Sequence, residues 1–193
     1  MESFSIHLTG VGGQGIGLLS ELLLRAADHA GHPVKGVDTH GLAQRGGIVV
    51  SQIRLGTRVH APLVPAGGAD LVVALERHEA LRGMNGFLKD GGTLAWYDTC
   101  WQPLDVRLGA APEVTEEAIR RECERRRVRP VRVYRRELAD PRMQNVALLA
   151  AIDHHGLVPG VMTEHYRRAM DDLMAGAMLE ANLAFFEAAR GEG

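Results

Sequence analysis

The sequence is poor in cysteine. Its 193 residues hold only Cys100 and Cys123, too few and too far apart for a disulfide framework or a paired metal motif. An iron–sulfur cluster draws on four thiolates, so no cluster and two ordinary reduced thiols are expected. Charge of one sign is also lacking: 22 Lys and Arg against 24 Asp and Glu leave a net charge of −2. That excludes the overall basic surface that drives nucleic-acid binding. No apolar run approaches the roughly 20 residues of a membrane span. Residues 1–8 lack the basic-then-apolar order of a signal peptide, and a cytoplasmic protein with no membrane or nucleic-acid partner is expected. Aromatics are only 5% while glycine contributes 23 residues, a balance that suits aliphatic strands joined by tight turns.

The length predicts a single domain over residues 1–193. Phe4 to Thr9 reads as a strand running straight into Gly10-Val11-Gly12-Gly13-Gln14-Gly15. Helical spacing of Ile16, Leu18, Leu19, Leu22, Leu23 and Ala26 follows, ending near Gly31. Pro33 to Val37 is a second strand, so residues 4–37 have the plan of a parallel α/β unit. Further strands are expected at Ile48 to Leu55, Asp70 to Leu75, Thr93 to Tyr97 and Val131 to Tyr134. Helices are expected over Glu76 to Gly83, from a Thr115 cap to about Arg127, and over Arg142 to His155, Thr163 to Met170 and Asp172 to about Ala189. The predicted fold is α/β: a Rossmann-like, mostly parallel sheet flanked by helices, with a helical C-terminal end.

Two loops carry the residue types of a binding site. Gly10, Gly12 and Gly15 satisfy the dinucleotide fingerprint, whose glycines allow a tight turn and a close anion at a helix N-terminus. Asp38 lies 23 residues past Gly15, near where a ribose-binding carboxylate would stand. An NAD-binding dehydrogenase, a nucleotide-binding scaffold, and glycines that merely admit close packing all remain open from this loop alone. Gln14 could donate to a phosphate or to a neighbouring subunit. The second loop, His40-Gly41-Leu42-Ala43-Gln44-Arg45-Gly46-Gly47, puts an imidazole, an amide, a guanidinium and three glycines into eight positions. Arg45 offers a forked donor for a carboxylate or phosphate. A structural glycine-rich loop is the bland alternative.

GVGGQG (10–15) and HGLAQRGG (40–47), followed by IVVSQIRLG (48–56), resemble the gamma-type domain of pyruvate/2-oxoacid:ferredoxin oxidoreductases, and within that family the indolepyruvate oxidoreductase beta subunits. Ala61 to Pro65, Ala69 to Glu76, Asn145 to Leu149 and the closing EANLAFFEAA (180–189) extend the resemblance over essentially the whole chain. Leu42 and Ile48 depart from the family's usual Met and Ser or Thr. The resemblance implies oxidative decarboxylation of a 2-oxoacid on thiamine diphosphate. Coenzyme A takes up the acyl group, and electrons leave through iron–sulfur clusters to ferredoxin or another acceptor. It further implies that thiamine diphosphate, Mg2+ and the clusters sit on partner subunits and that this chain binds no cofactor alone. Gly10, Gly12, Gly13, Gln14 and Gly15 would then form one wall of an acyl-acceptor or partner-facing site, and His40, Gln44, Arg45, Gly46 and Gly47 the other. The two loops are expected at the carboxyl ends of adjacent strands.

Other residues read more plainly. Arg120, Arg121 and Arg125 to Arg127 interleave with Glu116, Glu117, Glu122 and Glu124, as on a solvated, ion-paired helix face. Adjacent imidazoles such as His154 and His155 point apart on a helix, so no metal site is expected. Trp96, Trp101, Phe185 and Phe186 are expected in packing or at an interface. Glu76, at a strand end, is an isolated carboxylate and a candidate general base.

Overall fold

The computed structural model describes residues 1–39, 47–100, 106, 108–109, 112–138 and 140–191. His40, Gln44, Arg45 and Gly46 of the second loop, and Trp101, lie outside them.

Six strands form one sheet: β1 (Phe4–Val11), β2 (Val34–Thr39), β3 (Ile48–Leu55), β4 (Ala69–Ala74), β5 (Leu88–Tyr97) and β6 (Arg129–Val133). Their order is β2-β3-β1-β4-β5-β6. The pairs β1–β4, β4–β5 and β5–β6 are parallel, whereas β3 is antiparallel to both β1 and β2. Five strands therefore point one way and β3 the other, which is the expected mostly parallel sheet with one difference. β1 and β2 are parallel but not neighbours. The chain turns back after β2 and inserts β3 between them, pairing Ile53 with both Ile6 and Gly36. The expectation of two loops on adjacent strands is corrected accordingly.

The described helices are α1 (Ile16–His29), α2 (Arg77–Gly86), α3 (Glu116–Arg126), α4 (Gln144–His154), α5 (Thr163–Leu173) and α6 (Gly176–Gly191). Strand alternation divides the core into two layers. Ile6, Leu8, Leu71, Val73, Ala95 and Tyr97 face α1, α4, α5 and α6. Val72, Ala74, Leu94 and Trp96 face α2 and α3 through Ala80, Met84, Ile119 and Cys123. α1 buries Ile16, Leu19, Leu22, Leu23, Ala26 and Ala27. Leu18, counted with that face in the sequence, is instead 39% exposed. α4 is buried along nearly its whole length, from Gln144 to Ile152, which makes it the central helix of its layer. Trp96 and Phe186 are core residues, as expected. Thr115 caps α3, its hydroxyl accepting from the Ala118 N–H at 3.2 Å. The face of α3 is ion-paired as expected, through Glu117 with Arg120 and Glu122 with Arg125. Among the described residues no helix is long and apolar enough to cross a membrane.

Candidate functional site

The carboxyl ends of β1, β4, β5 and β6 share one edge of the sheet, the edge at which parallel α/β sheets bind ligands. β1 ends in the glycine turn. Gly12 donates its N–H to the Gly47 carbonyl at 2.8 Å, so the two motif loops meet where the first turns and the second enters β3. Gly15 is the N-cap of α1, with φ +84 and no side-chain cap. The N–H groups of the first turn of α1 have no intrahelical acceptors, and they carry the positive end of the helix dipole. This end of the turn has the chemistry of an anion site.

Gln14 does something other than the outward role its sequence position suggested. It is 1% exposed. Its Oε1 accepts from the Val11 N–H at 2.8 Å, and its Nε2 donates to the Leu75 carbonyl at 3.0 Å. Both halves of the amide are used inside the fold. Gln14 thus ties the turn after β1 to the end of β4, and its amide is not presented to a phosphate or a neighbouring subunit. Gly10 is needed for the same packing: a Cβ there would meet Ile16 carbons at 3.0 Å and Gln14 Oε1 at 3.1 Å. Gly13, at φ +100, faces open space.

Asn145, in the first turn of α4, was not singled out as a site residue. Its Nδ2 donates to the Gly15 carbonyl at 3.1 Å across 130 residues of sequence. The residue is 1% exposed, and its Oδ1 has no partner among the described residues. The only sequence signal was a polar residue opening an otherwise apolar helix.

Glu76 is not an isolated carboxylate. It caps α2 by accepting the Glu79 N–H and is fully buried. Its other oxygen faces His78 Nδ1 at 3.2 Å, while His78 Nε2 accepts the Val114 N–H at 3.2 Å. That bond makes Nε2 an acceptor, so in the neutral ring the proton belongs on Nδ1, toward Glu76. Cys100 Sγ lies 3.8 Å from the same nitrogen. Glu76, His78 and Cys100 are the group among the described residues spaced to hold a cation, yet the carboxylate and the ring already complete each other's hydrogen bonds. Burial, with Glu113 and Glu76 nearby, pushes the Cys100 thiol up to about 11, so it is no ready nucleophile. Cys123, in the α2–α3 layer, is likewise pushed up to about 11 by burial. Neither thiol fits a cluster. Mg2+ with a bound diphosphate calls for oxygen ligands, and this mixed set does not fit it either.

At the end of β5, burial would raise the Asp98 carboxyl, but hydrogen bonds from Arg77 and Arg132 outweigh it and hold the group below its ordinary range. Beneath α2 lies a second polar layer. There the Thr9 hydroxyl donates to Glu79 Oε2 at 2.7 Å, and burial raises the Glu79 carboxyl. His7 stacks on Phe87 at 3.9 Å, and burial lowers its imidazole to about 4.

A glycine turn, an uncapped helix start and a parallel-strand edge thus meet at one end of an α/β domain. Asp38 does not complete a dinucleotide site, because β3 separates its strand from the glycine turn by about 10 Å at the usual strand spacing. Its carboxylate lies 3.3 Å from the Ser20 hydroxyl.

Residues 5–192 match the family described as pyruvate ferredoxin/flavodoxin oxidoreductase, and the chain belongs to that family. Similar curated proteins include the indolepyruvate oxidoreductase subunit IorB of Pyrococcus horikoshii, 40% identical over 121 residues, which is 63% of this chain and 59% of that one. The Archaeoglobus fulgidus IorB is 53% identical over 78 residues, 40% of this chain and 38% of that one. The matched stretches thus span little more than half of these relatives' length, or less. Among solved structures, the gamma subunit of a keto/oxoacid ferredoxin oxidoreductase from Geobacter sulfurreducens superposes with TM-score 0.66 at 18% identity, covering 97% of this chain and 96% of that one. The 2-oxoglutarate:ferredoxin oxidoreductase of Magnetococcus marinus, with 2-oxoglutarate, coenzyme A and succinyl-CoA bound, gives 0.72 at 17% identity, covering 99% of this chain and 31% of that one. At these identities the likeness is one of fold.

Proposed function

We propose that this chain is the small, cluster-free, gamma-type subunit of a cytoplasmic 2-oxoacid:ferredoxin (or other acceptor) oxidoreductase, one that converts an aryl 2-oxoacid such as indolepyruvate to its acyl-CoA. The observation that carries the proposal is the family match over residues 5–192 in a chain whose only two thiols are both held protonated. Such a chain does not supply the thiolates of an electron-transfer cluster, and the donor group found among the described residues does not fit thiamine diphosphate with its metal. Those cofactors belong to partner subunits, and the chain alone is inactive. Its own contribution is the sheet edge. The α1 N-terminus and the glycine turn bind the diphosphate of coenzyme A, and Arg45 with His40 and Gln44 closes the other side, toward the anionic substrate or a partner carboxylate. Gln14 and Asn145 position the turn from behind.

The test is co-purification from native cells on a tagged form of this chain. The eluate is assayed for iron, thiamine diphosphate and 2-oxoacid-dependent dye reduction with and without coenzyme A. An iron-rich, thiamine-containing complex that reduces dye faster with indolepyruvate than with pyruvate, and only with coenzyme A, supports the full proposal. A lone colourless chain that binds NAD would overturn it.

A further inference from the structure

The two faces of the sheet are not covered alike. α1 packs on one face of β2 and β3. On the opposite face α2 and α3 pack on β1, β4, β5 and β6, and among the described residues no helix packs extensively on β2 and β3 there. An antiparallel face left to water alternates, with polar side chains outward. This face carries aliphatic ones. Gly36 and Ile53 pair on the α1 side, which turns Val37, Ile48 and Val50 to the other side. Val37 and Val50 are half-buried, and Ile48 is 41% exposed. Leu63, 64% exposed, joins them. Its carbonyl accepts from Arg54, and the next N–H, of Val64, donates to Gln52 Oε1 at 2.8 Å.

One end of this patch is cationic. Lys35 and Arg54 stand directly opposite each other on adjacent strands, where like charges repel. Neither has a carboxylate partner among the described residues: Lys35 is exposed, and Arg54 donates to the Ser5 hydroxyl and to the Ala61 and Leu63 carbonyls. Aliphatic side chains beside two unneutralised cations complement a protein surface that is aliphatic with a carboxylate at its rim. A second copy in a two-fold contact would offer the same patch, and with it the same two cations.

The patch is continuous with the motif loops. Ile48 pairs with Val11 and follows Gly47, whose carbonyl Gly12 holds. In the Magnetococcus marinus chain the matched fold is 31% of the length, one part of a longer polypeptide. We propose that this face of β2 and β3 is where the cofactor-bearing partner subunit docks. The partner lays aliphatic side chains over Val37, Ile48, Val50 and Leu63, and sets a carboxylate against Lys35 and Arg54. The inference rests on the subunit reading above and gives it a surface.

The test reads the assembled complex. Lys35 and Lys89 are the only lysines in the chain, so acetylation by an N-hydroxysuccinimide ester, followed by peptide mass spectrometry, reports the patch against an internal reference. Relative to Lys89, Lys35 labels several-fold more slowly in the complex than in the free chain. The double variant Ile48→Asp, Leu63→Asp leaves the melting temperature of the free chain unchanged. It lowers the thiamine diphosphate and iron that co-purify per chain at least about tenfold, the direction set by burying unpaired carboxylates. Lys35→Glu weakens retention more at low salt than at high salt. Met162→Asp, at an exposed methionine before α5, retains both cofactors. Equal relative labelling of Lys35 in complex and free chain overturns the docking face, and because that footprint uses the unmutated chain it decides even if the aspartates unfold the protein. Full cofactor retention and turnover in the double variant also overturn the docking face, while leaving the subunit reading standing. A free chain that sediments as a dimer, and that Ile48→Asp makes monomeric with cofactor retention unchanged, overturns it in favour of a second copy. A native chain that brings down neither iron nor thiamine diphosphate overturns the subunit reading and this inference with it.

Discussion

Replacing Gly15 with alanine places a methyl carbon 2.3 Å from Asn145 Nδ2, on a residue whose φ is +84. Two penalties add. A non-glycine residue in the left-handed region costs about 1–2 kcal/mol. Displacing the Asn145 amide breaks its bond to the Gly15 carbonyl and leaves buried polar atoms unpaired, roughly 1–3 kcal/mol more. The sum is about 2–5 kcal/mol, which for a domain of this size lowers Tm by roughly 4–20 °C. Gly17→Ala is the control. Gly17 lies within α1 with open space where its Cβ would stand, so alanine there is neutral or stabilising by a few tenths to about 1 kcal/mol. Thermal melts of the two variants, followed by circular dichroism, decide the matter. A Gly15→Ala protein that melts with Gly17→Ala would show that Asn145 does not brace the turn. The double variant Gly15→Ala, Asn145→Ala checks the mechanism, because removing the obstructing amide should recover about 1 kcal/mol or more relative to additivity.

The remaining predictions concern titration and reactivity. Burial lowers His7 to about 4 from an ordinary value near 6.5, so below pH 6.5 the unfolded chain takes up the proton first. Stability should therefore fall as pH drops from about 6.5 to 4, by roughly 3 kcal/mol at most. Urea midpoints across that range should show a slope that His7→Phe flattens, and an unchanged slope would refute the assignment. Cys123 is 1% exposed and its thiol is pushed up to about 11. Iodoacetamide at pH 7.5 should leave it unmodified in the native protein and label it in urea, as peptide mass spectrometry can follow. Rapid native labelling would contradict the packing of the α2–α3 layer.

How much was legible in the sequence depended on how far apart the deciding contacts lie. The glycine turn, the apolar face of α1, the Thr115 cap and the β4 run are local patterns, and all of them formed. Strand order is not local. Nothing in the periodicity of Ile48 to Leu55 distinguishes a strand laid beside β2 alone from one inserted between β2 and β1. Gln14 read as a ligand-facing amide because a polar residue in a glycine turn usually is one. Its actual acceptor, the Leu75 carbonyl, lies 61 residues on. Asn145 reaches back 130 residues. Glu76 was misjudged for the opposite reason: its partner, the Glu79 N–H, is local, but the capping pattern was hidden behind the strand that precedes it.

The insertion of β3 has a consequence for engineering. Segment 40–46 is bracketed by two fixed posts. On one side Thr39 pairs with Val50, and on the other Gly47 is held by Gly12. The two residues that flank it are therefore set by the sheet, Thr39 by its β3 partner and Gly47 by the glycine turn. Grafting the corresponding loop of a relative between these two posts should leave the scaffold's melting behaviour intact, as thermal melts of the graft can check.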